Sequence, residues 1–193
     1  MYGYDDKALA TVVAGSVADT AQATGKSLAE TFASGVDAVM IVDTSGSMGT
    51  HDSRGGRARY DVALDELAKL QATQRGRWAV LAFSSETIFV PGGQPPFLGG
   101  GTDLAGALRF AQIADGTGVT FFIVSDGEPD DENEALRVAA TYQDTIHVIF
   151  VGPEDDPRGR EFLRKLAAKA GGQTLTADRA QELAAGAQLL LGA

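Results

Sequence analysis

From residue 36 onward, short apolar runs alternate with stretches in which apolar positions recur every three or four residues, as in strands separated by crossover helices. Residues 36–43 and 119–126 are nearly unbroken apolar runs that each end in Asp, as expected of central strands covered on both faces. Residues 77–83 and 145–151 read the same way, 87–90 as a short edge strand and 174–176 as a terminal one, which makes six strands. Between them, Tyr60, Ala63, Leu64, Leu67 and Gln71 mark a helix at the i, i+3, i+4, i+7 spacing. The same template recurs at Leu104, Ala107, Leu108 and Ala111, at Ala135, Leu136, Ala139 and Ala140, and at Phe162, Leu163, Leu166, Ala167 and Ala170. A last helix is predicted near 178–191, opening on Asp178 and Gln181 and offering Leu183, Ala184, Ala187, Leu190 and Leu191 to the core. Parallel strands need such crossovers, so the expected fold is α/β: a doubly wound, mostly parallel six-stranded sheet with helices on both faces.

Residues 5–34 are Ala-rich, with Leu9, Val12, Val13, Val17, Leu28 and Phe32 loosely on one helical face and Gly15 and Gly25 interrupting it. They read as a pair of short helices resting on the domain, or as a docking element for a partner. The expected organisation is a helical appendage over 1–35 and one domain over 36–193, in keeping with a length of 193 residues. Sixteen basic against 26 acidic residues give a net charge of −10, a field that repels phosphate backbones and anionic lipid, so neither nucleic acid nor a membrane surface is expected as a partner. The chain has no Cys, which removes disulfides, thiolate zinc sites, iron–sulfur clusters and cysteine nucleophiles. Only His51 and His147 are present, which closes a multi-histidine metal site. His147 lies inside an apolar strand run and reads as a satisfied core histidine. No stretch approaches the roughly 20 apolar residues of a membrane span. Residues 8–18 follow Asp5, Asp6 and Lys7 rather than a positive leader, so they read as helix and a cytoplasmic location is expected.

In open α/β sheets ligands bind at the carboxyl ends of the strands, where strand order reverses. The first central run ends in Asp43-Thr44-Ser45-Gly46-Ser47-Met48-Gly49, and the second in Ser125-Asp126-Gly127-Glu128-Pro129. Gly99-Gly100-Gly101-Thr102-Asp103 precedes the helix near Leu104. If these loops converge, Asp43, Ser45, Ser47, Thr102 and Asp126 offer two carboxylates and three hydroxyls with no nitrogen or sulfur. Hard oxygen donors of this kind suit Mg²⁺ or Mn²⁺, and Ca²⁺ less well. Gly46 permits the bend that aims Asp43, Ser45 and Ser47 to one side. Each loop alone also reads as an ordinary turn or helix cap.

The set Asp43-x-Ser45-x-Ser47, Thr102 and Asp126 resembles the metal-ion-dependent adhesion site (MIDAS) of von Willebrand factor A-like (vWA) domains, over about residues 36–176. The resemblance implies a Rossmann-like six-stranded sheet with one short antiparallel edge strand. It implies that Ser45, Ser47 and Thr102 or Asp126 touch the metal while the remaining carboxylate acts through water, and that an Asp or Glu of a partner protein completes the coordination. It also implies a non-enzymatic interaction module, with an adaptor for an AAA+ ATPase or chelatase-like machine as the partner class. The alternative is a Mg²⁺-dependent phosphohydrolase using Asp43 as nucleophile, against which Ser45 stands where such a site wants a second Asp.

Two carboxylates roughly neutralise a divalent ion while three hydroxyls donate weakly, so the ion stays electrophilic and prefers an anionic ligand. The helix opening after Thr102 adds a dipole that favours an incoming carboxylate. Arg54, Arg57 and Arg59, with His51, form either a basic rim that steers an acidic partner or a plain solvated loop. The acids from Asp126 to Glu134 favour a helix start, with Glu128 the candidate for reading a partner's basic groups. The Gly- and Pro-rich stretch 91–101 reads either as a loop that reshapes the site or as a plain surface loop.

Overall fold

Each apolar run forms a strand of one sheet in the computed structural model, which describes residues 12–33, 35–73, 77–153 and 155–175. In chain order the elements are α1 (Val17–Thr24), α2 (Leu28–Ala33), β1 (Ala38–Asp43), β2 (His51–Ser53), β3 (Arg57–Ala58), α3 (Arg59–Thr73), β4 (Trp78–Phe83), β5 (Thr87–Phe89), α4 (Leu104–Ala111), β6 (Thr120–Ser125), α5 (Glu132–Ala139), β7 (Ile146–Phe150), α6 (Pro157–Lys169) and β8 (Thr174–Leu175). The large sheet has six strands in the order β5-β4-β1-β6-β7-β8. Its strands pair in parallel except β5, which runs antiparallel to β4 at the edge. The helix predicted near 178–191 lies outside the described residues.

The period of two along β1 explains why its run is unbroken. Met40 and Val42 pack on one face with Val62, Leu67 and Leu70 of α3. Val39 and Ile41 pack on the other with Leu104 and Leu108 of α4 and Leu163 and Leu166 of α6. Every residue of β1 is buried, and each large aliphatic side chain so removed from water stabilises the fold by roughly 1.5–3 kcal/mol. β1 lies between β4 and β6, the point at which the strand order reverses, and the last residue of β1 is Asp43.

At the opposite end of the strands, residues 12–33 attach to the sheet. Ser16 forms a parallel bridge with Trp78, the Val13 amide donates to the Gly92 carbonyl at 3.0 Å, and the Ala18 amide donates to Pro91 at 3.0 Å. The Ser16 hydroxyl caps α1 by accepting from the Asp19 amide at 3.2 Å, and Gly25 closes the helix in the left-handed region. A capping box precedes α2, in which the Ser27 amide donates to Glu30 at 2.8 Å and the Glu30 amide to the Ser27 hydroxyl at 3.2 Å.

The hairpin β2–β3 was not anticipated from the hydrophobic pattern, because its two strands are short and mostly polar. Its signal is the Gly55-Gly56 pair, which turns the chain at φ +71° and +73°. The hairpin is fixed to the sheet by the Ser53 hydroxyl, which donates to the Val151 carbonyl at 2.7 Å just beyond β7.

Candidate divalent-cation site

The three oxygen-bearing loops meet at the carboxyl ends of β1, β4 and β6, held by backbone bonds. The Thr44 amide and hydroxyl both donate to the Phe83 carbonyl, at 2.9 and 3.0 Å, which ties the loop after β1 to the end of β4. The Gly46 amide donates to the Gly100 carbonyl at 2.9 Å, joining that loop to the one carrying Thr102. The Thr102 carbonyl accepts from the Asp130 amide at 3.0 Å, and the Thr102 amide donates to Asp130 Oδ2 at 2.9 Å, joining it to the loop after β6. The first loop continues as a 3₁₀ turn over Gly46–Gly49, which places Ser45 and Ser47 on one side, their Oγ atoms 3.2 Å apart.

Asp43 and Asp126 are both fully buried, and Ser45 and Thr102 are buried as well. Asp43 Oδ1 accepts from the Ser45 amide at 3.0 Å, and Oδ2 accepts from the Ser125 hydroxyl at 2.7 Å. Burial first, and then the charge of Asp126, push the Asp43 carboxyl up to about 6, against the lowering effect of its bonds to Ser45 and Ser125. A carboxyl raised by burial and by a neighbouring carboxylate marks a place where added positive charge is favourable. Among the described residues no group of three or more His, Cys, Asp or Glu is placed to hold a metal. A cation here would therefore draw on hydroxyls as well as carboxylates, and Asp43, Ser45, Ser47, Thr102 and Asp126 supply an all-oxygen set that fits a hard divalent ion.

Some groups that position the site were not singled out from sequence. Ser125 holds Asp43, and its own Oγ accepts from the Gly127 amide at 3.0 Å. Its signal lies in the strand register, since Val42 pairs with Val124 and the next residues outward are Asp43 and Ser125. Asp130 holds Thr102. Asp103 caps α4 by accepting from the Gly106 amide at 2.8 Å.

The basic residues after the first loop separate into two groups. Arg54 is not aimed at the carboxylates: its Nη1 donates to Glu66 at 2.7 Å and its Nη2 to the Phe150 carbonyl at 3.5 Å. Arg57 pairs with Asp65 at 2.6 Å. Arg59 turns inward, and its Nη1 donates to Asp126 Oδ2 at 2.7 Å and to Glu128 at 2.9 Å. Glu128 is thus brought to the edge of the site, and its amide donates to Asp126 Oδ1 at 3.2 Å.

In the 91–101 stretch, Leu98 and Gly99 donate their amides to the Thr44 carbonyl at 3.3 and 2.9 Å. Phe97 is left 48% exposed beside the first loop, edge-on to Tyr60 with ring centroids 5.3 Å apart. His147 lies away from the cluster on β7, where its Nδ1 accepts from the Gln173 amide at 3.2 Å and burial lowers its pKa.

No family model matches the chain, and no curated protein matches it. Solved structures share its architecture. An aerotolerance-related membrane protein from Bacteroides fragilis is 16% identical, with TM-score 0.61 over 79% of this chain and 96% of that one. The manganese-loaded TRAP protein of Plasmodium vivax is 18% identical, with TM-score 0.57 over 77% of this chain and 71% of that one. A von Willebrand factor type A structure from Catenulispora acidiphila is 19% identical, with TM-score 0.57 over 77% and 41% of the two chains. The fold is the Rossmann-like α/β fold of vWA-type domains. Among the described residues no helix is long and apolar enough to cross a membrane.

Proposed function

We propose that the chain is a metal-dependent protein-interaction module in which Asp43, Ser45, Ser47, Thr102 and Asp126 hold Mg²⁺ or Mn²⁺ and a partner protein supplies an Asp or Glu side chain. The observation that carries this reading is the pair of fully buried carboxylates, Asp43 and Asp126, at the strand-order reversal, with buried hydroxyls beside them. When bound, the ion supplies a Lewis-acidic point that a carboxylate can occupy. The chain's own residues do the rest. Ser125 and the Ser45 amide hold Asp43 by both oxygens, which fixes the carboxylate in position to act as a ligand. Asp130 fixes the Thr102 backbone, and exposed Phe97 offers apolar contact beside the site.

The manganese-loaded state of one structure with this fold, and the recurrence of the fold in a pilus tip protein of Porphyromonas gingivalis, support the reading. The partner class proposed is an acidic segment of a protein assembly, with an AAA+ ATPase or chelatase-like machine as the first to try and the cytoplasm as the compartment.

A thermal-shift titration tests the cation, because a ligand of the folded state alone raises stability by RT ln(1 + [L]/Kd). Mg²⁺ or Mn²⁺ is expected to raise the melting temperature of the wild type and not of Asp43→Asn. Equal shifts in both remove the site. Capture of a partner that persists in a chelator would leave the cation without a role in binding.

A further inference from the structure

Arg59, the first residue of α3, is a cation built into the wall of the site. Its side chain is 8% exposed and meets three carboxylates. Nε and Nη2 each donate at 2.8 Å to the two oxygens of Asp52, a fork that fixes the plane of the guanidinium. Nη1 then faces Asp126 and Glu128. The backbone is anchored as well, since the Arg59 amide donates to the Thr50 carbonyl at 3.0 Å. Asp52 and Glu128 are 37% and 45% exposed, so water screens them. The Nη1 contact with Asp126 is buried and is screened far less.

We propose that Arg59 sets the charge of the site: by neutralising Asp126 from outside the oxygen cluster, it weakens capture of a bare divalent cation and couples that capture to an anionic ligand. The inference rests on the reading of the cluster as a divalent-cation site. Two carboxylates alone would balance a divalent ion. Among the buried groups alone, with the part-exposed Asp52 and Glu128 attenuated by water, the guanidinium leaves one positive charge over, and a carboxylate arriving from a partner is the group that cancels it. The cation and the partner's carboxylate therefore bind as a linked pair, and linkage makes the effect reciprocal. Arg59 acts through Asp126, so it is a charge-setting and positioning residue rather than a ligand.

The test is a Mn²⁺ titration of the full chain, followed by electron paramagnetic resonance of free Mn²⁺, with and without sodium acetate as the carboxylate probe. In wild type, acetate is expected to tighten Mn²⁺ binding by about threefold or more. Arg59→Gln is expected to bind bare Mn²⁺ about tenfold more tightly, the scale of one charge removed from beside the ion, and to lose the acetate effect. Arg59→Lys, which keeps the charge, is expected to stay within about threefold of wild type. Asp52→Asn leaves the guanidinium less compensated and is expected to weaken Mn²⁺ binding, and this variant decides the matter if Arg59→Gln does not fold. A residue that only props up Asp126 would loosen Mn²⁺ binding in both Arg59 variants. Unchanged or weaker binding in Arg59→Gln, or unchanged or tighter binding in Asp52→Asn, overturns the proposal. If wild type itself binds no Mn²⁺, the underlying cation-site reading fails first, and that result is distinct from wild-type binding that Arg59→Gln leaves unaltered.

Discussion

Replacing Asp43 by Asn keeps the shape of a buried side chain and removes a charge held next to Asp126. In the folded chain the Asp43 carboxyl titrates at about 6 rather than the ordinary 3.8, so the folded state holds its proton more tightly than the unfolded state does. The sign follows from linkage. This group's contribution favours folding fully below about pH 3.8 and is lost as pH rises through about 6. The gap between 3.8 and about 6, at about 1.36 kcal/mol per pH unit, is worth about 3 kcal/mol. Asp43 is fully buried, so solvent screening does not reduce that figure. The stability of Asp43→Asn relative to wild type is therefore expected to grow by about 2.5 kcal/mol between pH 4 and pH 7.5 in the presence of a chelator, since at pH 4 the unfolded carboxyl is already more than half ionised. At roughly 2–4 °C per kcal/mol for a chain of this size, the melting temperatures separate by roughly 5–10 °C more at the higher pH. Paired urea titrations at the two pH values read the quantity, because titrating groups that do not interact with Asp43 cancel in the difference. Saturating Mg²⁺ should then close the gap from the wild-type side only. A difference between variant and wild type that is the same at both pH values would refute the reasoning.

Other outcomes follow from contacts around the loops. A Cβ on Gly159 would land on the Asp126 carbonyl oxygen, so Gly159→Ala is expected to lose about 1–3 kcal/mol in urea unfolding despite its better helix propensity, and to weaken Mg²⁺ stabilisation. Asp130→Ala removes the acceptor of the Thr102 amide and should cost about 1 kcal/mol in the same assay, with a weaker thermal shift by Mg²⁺. Phe97→Ala is expected to leave the Mn²⁺ affinity unchanged while costing about 1 kcal/mol or more in calorimetric binding of an acidic partner segment; an equal loss in Mn²⁺ affinity would place Phe97 in the loop's folding instead.

The sheet was legible because burial on both faces forces apolar residues at nearly every position of β1, β4 and β6. The edge strand β5 was legible as the short run 87–90, and α6 from the helical spacing of Phe162, Leu163, Leu166, Ala167 and Ala170. The β2–β3 hairpin escaped the same reading. Its strands are three and two residues long, too short to show a period, and only Gly55-Gly56 marked the turn. In the site, Asp43, Ser45, Ser47, Thr102 and Asp126 stood out because oxygen-bearing residues ended apolar runs or opened a helix. Arg59 did not separate from Arg54 and Arg57. All three follow the first loop at similar spacing, and what sets Arg59 apart is its position at the start of α3, where the chain turns its guanidinium under the loop after β6. That is a consequence of packing between segments 67 positions apart, which local spacing does not encode.

The separation has a kinetic side. Asp43 and Ser125 are 82 positions apart, and Thr44 and Phe83 are 39 apart, so the pocket has no local nucleus and closes only once β1 is seated between its neighbours. A clasp assembled that late in folding contributes little to the transition state, so whatever occupies it would brake unravelling while leaving the refolding rate almost unmoved.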